Sequence, residues 1–250
     1  MHRSARQVTI MKALTQHGAC SVTDLARQLE VSDETIRRDV KAMADKGLVE
    51  KVHGGAALPH LLREPAFRKR MERNAGEKER IARLAAAQVR NGDSVMLDTG
   101  STTAYVARAL AGHADLLIVT NCTDIAGRLV ARNRVYLAGG ELRADDGAVF
   151  GDTASRFVEQ FRARYAVLSI GAIDRDGLMD FYLQEAEFSR AVMARADQTI
   201  VVADHSKFGS HAPVKVCGFE AVDLLITDRA PPPELAERVA AAGTKLLVAD

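Results

Sequence analysis

Apolar residues recur at helical spacing three times within the first fifty positions, and after about position 90 they gather into short runs separated by helix-length segments. Val8, Ile10, Met11 and Leu14 mark a first helix that stops at His17-Gly18, a glycine C-cap signal. A second helix carries Leu25, Ala26 and Leu29 on its apolar stripe, with Ser21 or Thr23 as its cap. A third is capped by Ser32, buries Ile36, Val40 and Met43 at i, i+4 and i+7, and runs to Gly47. The alternation from Leu48 to Val52, the turn at His53-Gly54-Gly55 and the return through Ala56 to Leu58 predict a short hairpin.

Between Pro59 and Gly76 two prolines and a run of cations, including Arg68, Lys69, Arg70 and Arg73, predict a linker. The organisation expected is a helical module with a wing over 1–58, a linker over 59–76 and a larger domain over 77–250. In the last, strand patterns at Ser94–Leu97, Leu116–Thr120, Val135–Ala138, Ala166–Ile170, Thr199–Ala203, Leu224–Thr227 and Lys245–Val248 alternate with helical segments. That rhythm predicts an α/β fold with a mostly parallel sheet covered on both faces.

The net charge of +1 conceals an asymmetry: residues 1–74 hold 14 Lys and Arg against 9 Asp and Glu, and the remainder 20 against 24. A basic first third points to a polyanion there. Its single aromatic residue, Phe67, argues against base stacking on single strands and for reading a duplex groove. Two short helices joined by a tight turn, the second exposing Ser32, Thr35, Arg37, Arg38 and Lys41, match a helix-turn-helix that enters the major groove. Arginine there reads guanine or holds phosphate, Thr35 meets a phosphate or a thymine methyl, and Lys51 and His53 at the wing reach the backbone or minor groove. No apolar run reaches the length of a membrane helix, and MHRSARQVTI is no secretory signal, so a cytoplasmic protein without membrane contact is expected. Cys20, Cys122 and Cys217 show no metal-ligand spacing and are expected as reduced core thiols; no metal or cofactor is expected.

Ligands of open parallel sheets bind beyond the carboxyl ends of the strands. The distinctive polar groups of this chain fall there. Asp98, Gly100, Ser101, Thr102 and Thr103 follow the first strand and lead into a helix, where free amides and hydroxyls can surround a phosphate; helix capping by Ser101 or Thr102 is the plainer alternative. Asn121 follows the second strand, Gly139 and Gly140 the third, Gly171 and Asp174 the fourth, Asp204 and Lys207 the fifth. Lys207 suits phosphate charge, while Asp98, Asp174 or Glu185 suits polyol hydroxyls. Gly139-Gly140 also reads as a simple strand-end turn, and Lys207 as a surface amine.

The stretch from Val31 to Ala57 resembles the signature of the DeoR-type bacterial transcriptional regulators, and the likeness continues through His53–Pro59, Glu77–Arg83 (EKERIAR), Leu137–Arg143 (LAGGELR) and Asp204–Gly209 (DHSKFG). It is similar in particular to members responding to glycerol 3-phosphate. The resemblance implies a winged helix-turn-helix repressor of sugar or polyol catabolism that binds double-stranded operator DNA as a homo-oligomer, dimer or tetramer. It also implies a ribose-5-phosphate-isomerase-like sensor domain for a phosphorylated sugar or polyol, glycerol 3-phosphate first, contacted by Asp98, Gly100, Thr102, Thr103, Gly139, Gly140, Gly171, Asp174, Glu185, Asp204 and Lys207. The chain departs from that pattern with Gln184 before Glu185, where those members carry His, and Cys122 after Asn121.

A competing reading is a sugar-phosphate isomerase with an appended helical domain, with Asp98, Asp174 or Glu185 as the base. No spacing in the chain pairs an acid with a base, and the helix-turn-helix would be idle.

Overall fold

In a computed structural model, the described residues are 3–17, 19–46, 48–52, 54–57 and 64–250. They form two compact units, one of Met1–Glu64 with Ser210–Ala212 and one of Pro65–Gly209 and Pro213–Asp250. The unit boundary falls inside the expected linker, whose second half folds as a short helix and the head of a longer one. Among the described residues no helix is long and apolar enough to cross a membrane.

The first unit consists of α1 (Arg3–His17), β1 (Ala19–Ser21), α2 (Val22–Leu29), α3 (Asp33–Ala44), β2 (Glu50–Val52) and β3 (Gly55–Ala57). The expected stripes meet in one core: Ile10, Leu14, Leu25, Ile36, Met43 and Val49 are sealed within it. Ser21 caps α2 by accepting from the Asp24 amide at 3.0 Å, and Ser32 caps α3 by accepting from Thr35 at 3.3 Å. Glu30 in left-handed conformation (φ 51°) turns the chain between the two helices. α3 ends at Ala44, short of Gly47, and both Gly18 and Gly47 lie outside the described residues. The hairpin gains a strand that no periodicity announced: β1 pairs with β3, giving the order β1-β3-β2. Gly55 permits this pairing, since a Cβ there would stand 2.4 Å from the Cys20 carbonyl oxygen.

The second unit opens with α4 (Phe67–Glu72) and α5 (Ala75–Ala86), then continues β4 (Ser94–Leu97), α6 (Ser101–Leu110), β5 (Leu117–Thr120), α7 (Thr123–Leu129), β6 (Arg134–Leu137), α8 (Asp152–Val158) and β7 (Ala163–Ser169). A hairpin, β8 (Ala172–Asp174) and β9 (Gly177–Asp180), precedes α9 (Leu183–Met193), β10 (Ala196–Val202), β11 (Val214–Cys217), β12 (Leu224–Thr227), α10 (Pro233–Ala241) and β13 (Lys245–Val248). The seven strands expected from sequence form one parallel sheet, ordered β13-β12-β10-β7-β4-β5-β6. Their side chains alternate between two buried faces: Val95, Leu97, Val167 and Val202 enter one core, Met96, Ala166 and Leu168 the other. This explains why the strands read as unbroken apolar runs. β8, β9 and β11 form a separate antiparallel sheet that the sequence reading did not contain.

The strand order reverses direction at β4. From it the chain winds outward through β5 and β6, then returns to add β7, β10, β12 and β13 on the other side. The crevice between the carboxyl ends of β4 and β7 is therefore the topological switch point, where open parallel sheets receive their ligands.

Candidate functional site

On the first unit, the buried face of α3 leaves Arg37, Arg38 and Lys41 exposed on the opposite side. Arg38 lies 3.3 Å from Glu34 in a solvent-exposed i,i+4 pair, an arrangement that holds the side chain only weakly. Ser32 and Thr35 sit at the helix start with their hydroxyls 2.9 Å apart, so both already serve the cap. Lys51 is exposed on β2, and His53 lies outside the described residues. One residue on the apolar face of α3 is charged: Asp39 is 1% exposed and accepts from Arg6 Nε of α1 at 2.7 Å. The period of Ile36, Val40 and Met43 gave no hint of this bridge.

On the second unit, the switch-point crevice gathers much of the expected set. Asp98 is buried and accepts from the Ser169 amide at 3.1 Å, which ties the ends of β4 and β7 together. Gly100 packs so tightly that a Cβ would meet Ser169 Oγ. α6 then begins without a side-chain cap, so capping by Ser101 or Thr102 does not occur. Thr103 Oγ1 instead donates to the Gly100 carbonyl at 3.1 Å, and the first helical bond runs from the Ala104 amide to that same carbonyl. The amides of Ser101, Thr102 and Thr103 thus stand ahead of the helical ladder, at the positive end of the α6 dipole. The hydroxyl of Thr99, beside them, is buried with no hydrogen-bond partner among the described residues.

The next loops bring Lys207 and Asp204 to the same edge. Lys207 Nζ donates to the Gly171 carbonyl at 3.1 Å, just after β7. Asp204 caps the 3-10 turn His205–Lys207 by accepting from Ser206 at 3.0 Å, and also accepts from Asn74 Nδ2 at 2.8 Å. Burial pushes its carboxyl up, but hydrogen bonds from Ser206 and Asn74 and the charge of Lys78 outweigh it and hold the group below the usual carboxylate range. The neighbouring His205 is anchored to Asp228 through both its amide and Nδ1, each at 2.7 Å.

A second polar cluster lies past β5 and β6. Asn121 is fully buried, its Nδ2 donating to the Val149 carbonyl at 2.9 Å while Oδ1 finds no partner among the described residues. Arg143 bridges the carboxylates of Asp146 and Glu185 and lies over the rings of Phe150 and Tyr182 at 4.5 and 5.7 Å. Burial works against its charge, but Asp146 and Glu185 overcome it and drive the guanidinium pKa up. Glu185 therefore already holds a cation rather than standing free for a hydroxyl. Arg143, Asp146 and Ser169 were absent from the residues singled out in sequence. Arg143 lies in LAGGELR, and that motif was its only signal.

The remaining candidates are placed differently. Gly139 and Gly140 are exposed beyond the edge strand β6, and Asp174 ends β8, accepting from the Asp176 amide across the hairpin turn at 2.8 Å. All three cysteines are free; Cys122 is buried, whereas Cys20 and Cys217 are only partly so, short of the core position expected. Burial, then the charge of Glu220, pushes the Cys217 thiol up to about 11.

Residues 6–61 match the DeoR-like helix-turn-helix domain and residues 73–229 the DeoR C terminal sensor domain. The glycerol-3-phosphate regulon repressor of Escherichia coli (strain K12) is 39% identical over 236 residues, covering 93% of each chain. The HTH-type transcriptional repressor CsqR of the same organism is 35% identical over 94% of this chain and 91% of its own. Among solved structures, ribose 5-phosphate isomerase A from Methanocaldococcus jannaschii is 15% identical over 54% of each chain, with a TM-score of 0.39.

Proposed function

Because this chain belongs to the DeoR family of transcriptional regulators, we propose that it represses a sugar or polyol catabolic operon, releasing its operator when a phosphorylated metabolite binds the sensor unit. Its full-length relatives carry repressor names, which sets the isomerase reading aside. α3 would enter the major groove, with Arg37, Arg38 and Lys41 on bases and phosphates and Lys51 on the flanking backbone. Each phosphate neutralised weakens binding with rising salt, so one module alone grips modestly and a dimer or tetramer supplies the affinity.

The observation that carries the sensor assignment is the crevice between β4 and β7. There three amides at the start of α6 point past an uncapped helix end, with Lys207 on the adjoining loop. Such an end is built for a phosphate, with Asp98 and Thr102 in the loop and first turn beside it. Glycerol 3-phosphate is the first choice of effector, resting on the regulon name of the relative that is 39% identical.

A thermal-shift panel of phosphorylated three- to six-carbon compounds tests the sensor. At a hundred times Kd a ligand adds about 2.7 kcal/mol, which raises Tm by roughly 5 °C or more. A shift by an unphosphorylated sugar alone would remove the phosphate cradle. A gel-shift assay on the protein's own upstream DNA, with Arg37→Ala and Arg38→Ala, tests the other end. Each variant should bind more weakly and lower the salt slope by about 0.9.

A further inference from the structure

The helix that follows the cradle and the loop that carries Lys207 each hold α4 or its junction with α5, the first elements after the unit boundary. Tyr105, one turn into α6 from the cradle, donates its hydroxyl to the Met71 carbonyl at 3.0 Å. Asp204, on the loop that carries Lys207, accepts from Asn74. Lys78 completes the arrangement. Only 3% exposed, its Nζ donates to the carbonyls of Arg70 and of Arg73, the latter at 2.9 Å, and so binds the carboxyl end of α4 beside Asp204.

Asn74 shows that this is more than packing. It stands at the N-cap position of α5, where asparagine ordinarily accepts from the helix amides, yet it makes no side-chain cap. Its backbone adopts the left-handed conformation (φ 53°), and its amide turns to Asp204 instead. Asparagine tolerates that region well, and in it the side chain is turned from the helix amides to Asp204.

We propose that Asn74, Lys78 and Tyr105 form a clamp through which occupation of the α6 and Asp204–Lys207 loops shifts α4, and so reports the effector to the segment leading into the DNA-binding unit. The proposal rests on the sensor reading above. A ligand drawing the α6 amides and Lys207 onto one anion moves both α6, which holds Met71, and the Asp204–Lys207 loop, which holds Asn74. α4 is then the two-position element that ligand and DNA both bias.

The test uses the full chain, glycerol 3-phosphate as probe, and two readouts: probe affinity by calorimetry and operator affinity with and without probe. Asn74→Gly keeps the left-handed backbone at no steric cost while removing the amide; Tyr105→Phe keeps the ring and loses the hydroxyl. In the unaltered protein the probe should weaken operator binding between about 5- and 150-fold. The double variant should bind probe within about threefold of the unaltered protein, yet show less than about a twofold effect on operator affinity. Full release by the double variant overturns the clamp and leaves the sensor standing. Loss of probe binding by the variant also overturns it, because these residues would then belong to the pocket. No binding or release in the unaltered protein overturns glycerol 3-phosphate as the effector, and the clamp argued for it.

Discussion

Gly100 and Ser169 face each other across the β4/β7 crevice so closely that a Cβ on Gly100 would stand 1.8 Å from Ser169 Oγ and 2.9 Å from Ser169 Cβ. The backbone of Gly100 is extended (φ 167°), so any residue could adopt it, and the requirement is one of space alone. Gly100→Ala should therefore cost about 1–3 kcal/mol by overpacking and abolish the effector's thermal shift. Ser169→Gly in the same chain should recover most of the stability in denaturant titrations. Absence of recovery would show that the cost arises elsewhere.

Arg143 is the cation between two carboxylates, of which Asp146 is wholly buried and Glu185 nearly so. Removing one partner of such a group strands the charges that remain. Arg143→Ala is expected to destabilise the sensor unit by about 3 kcal/mol. Denaturant titration at pH 7 checks this; a loss below about 1 kcal/mol would show that the two carboxylates stand without the cation.

Asp39 and Arg6 lie 2.7 Å apart with side-chain exposures of 2% and 13%, joining α3 to α1. Asp39→Ala should cost the first unit about 2–4 kcal/mol and weaken operator binding through loss of that unit's fold. Calorimetry should show the sensor-unit transition unmoved, with effector binding retained. A variant that melts like the unaltered protein while failing to bind DNA would instead assign Asp39 to recognition.

Lys78 gives a pH dependence of definite sign. Burial, opposed by Asp204 and reinforced by Lys207, Arg70 and Arg73, lowers its pKa from 10.5 to about 8. Below about pH 8 the folded chain bears the full cost of a buried ammonium. Between there and 10.5 the unfolded chain binds the extra proton, so this group's contribution to stability rises with pH. The stability of the unaltered protein relative to Lys78→Met should thus improve by about 2 kcal/mol from pH 7 to 9.5. A constant difference would mean that Lys78 titrates as an exposed lysine.

The elements of this protein were legible where they follow from local periodicity. All seven parallel strands, the α3 face of Ile36, Val40 and Met43, and the Ser32 cap appear in the chain as spacing, because a strand buried on both faces must be apolar throughout and a half-buried helix must repeat every turn. The strands that escaped notice are three residues long in β1 and β8 and four in β9 and β11, and each is broken by a polar or glycine position, which leaves no period to read. Their pairing depends on partners such as β3, which adds β1 across 36 positions in the pair Cys20 and Ala56.

Which side chains would meet was a different matter. Local spacing was enough to put the polar groups after strand ends, since a parallel sheet sends every βα loop to one edge. Folding alone settled that Glu185 is taken by Arg143, that Asp204 holds Asn74 across 130 positions, and that Ser169 presses on Gly100. Strand order placed β7 next to β4, and no local pattern encodes that adjacency. It arises from long-range packing of both sheet faces, so the partners of buried charges become fixed only once the chain has closed around them.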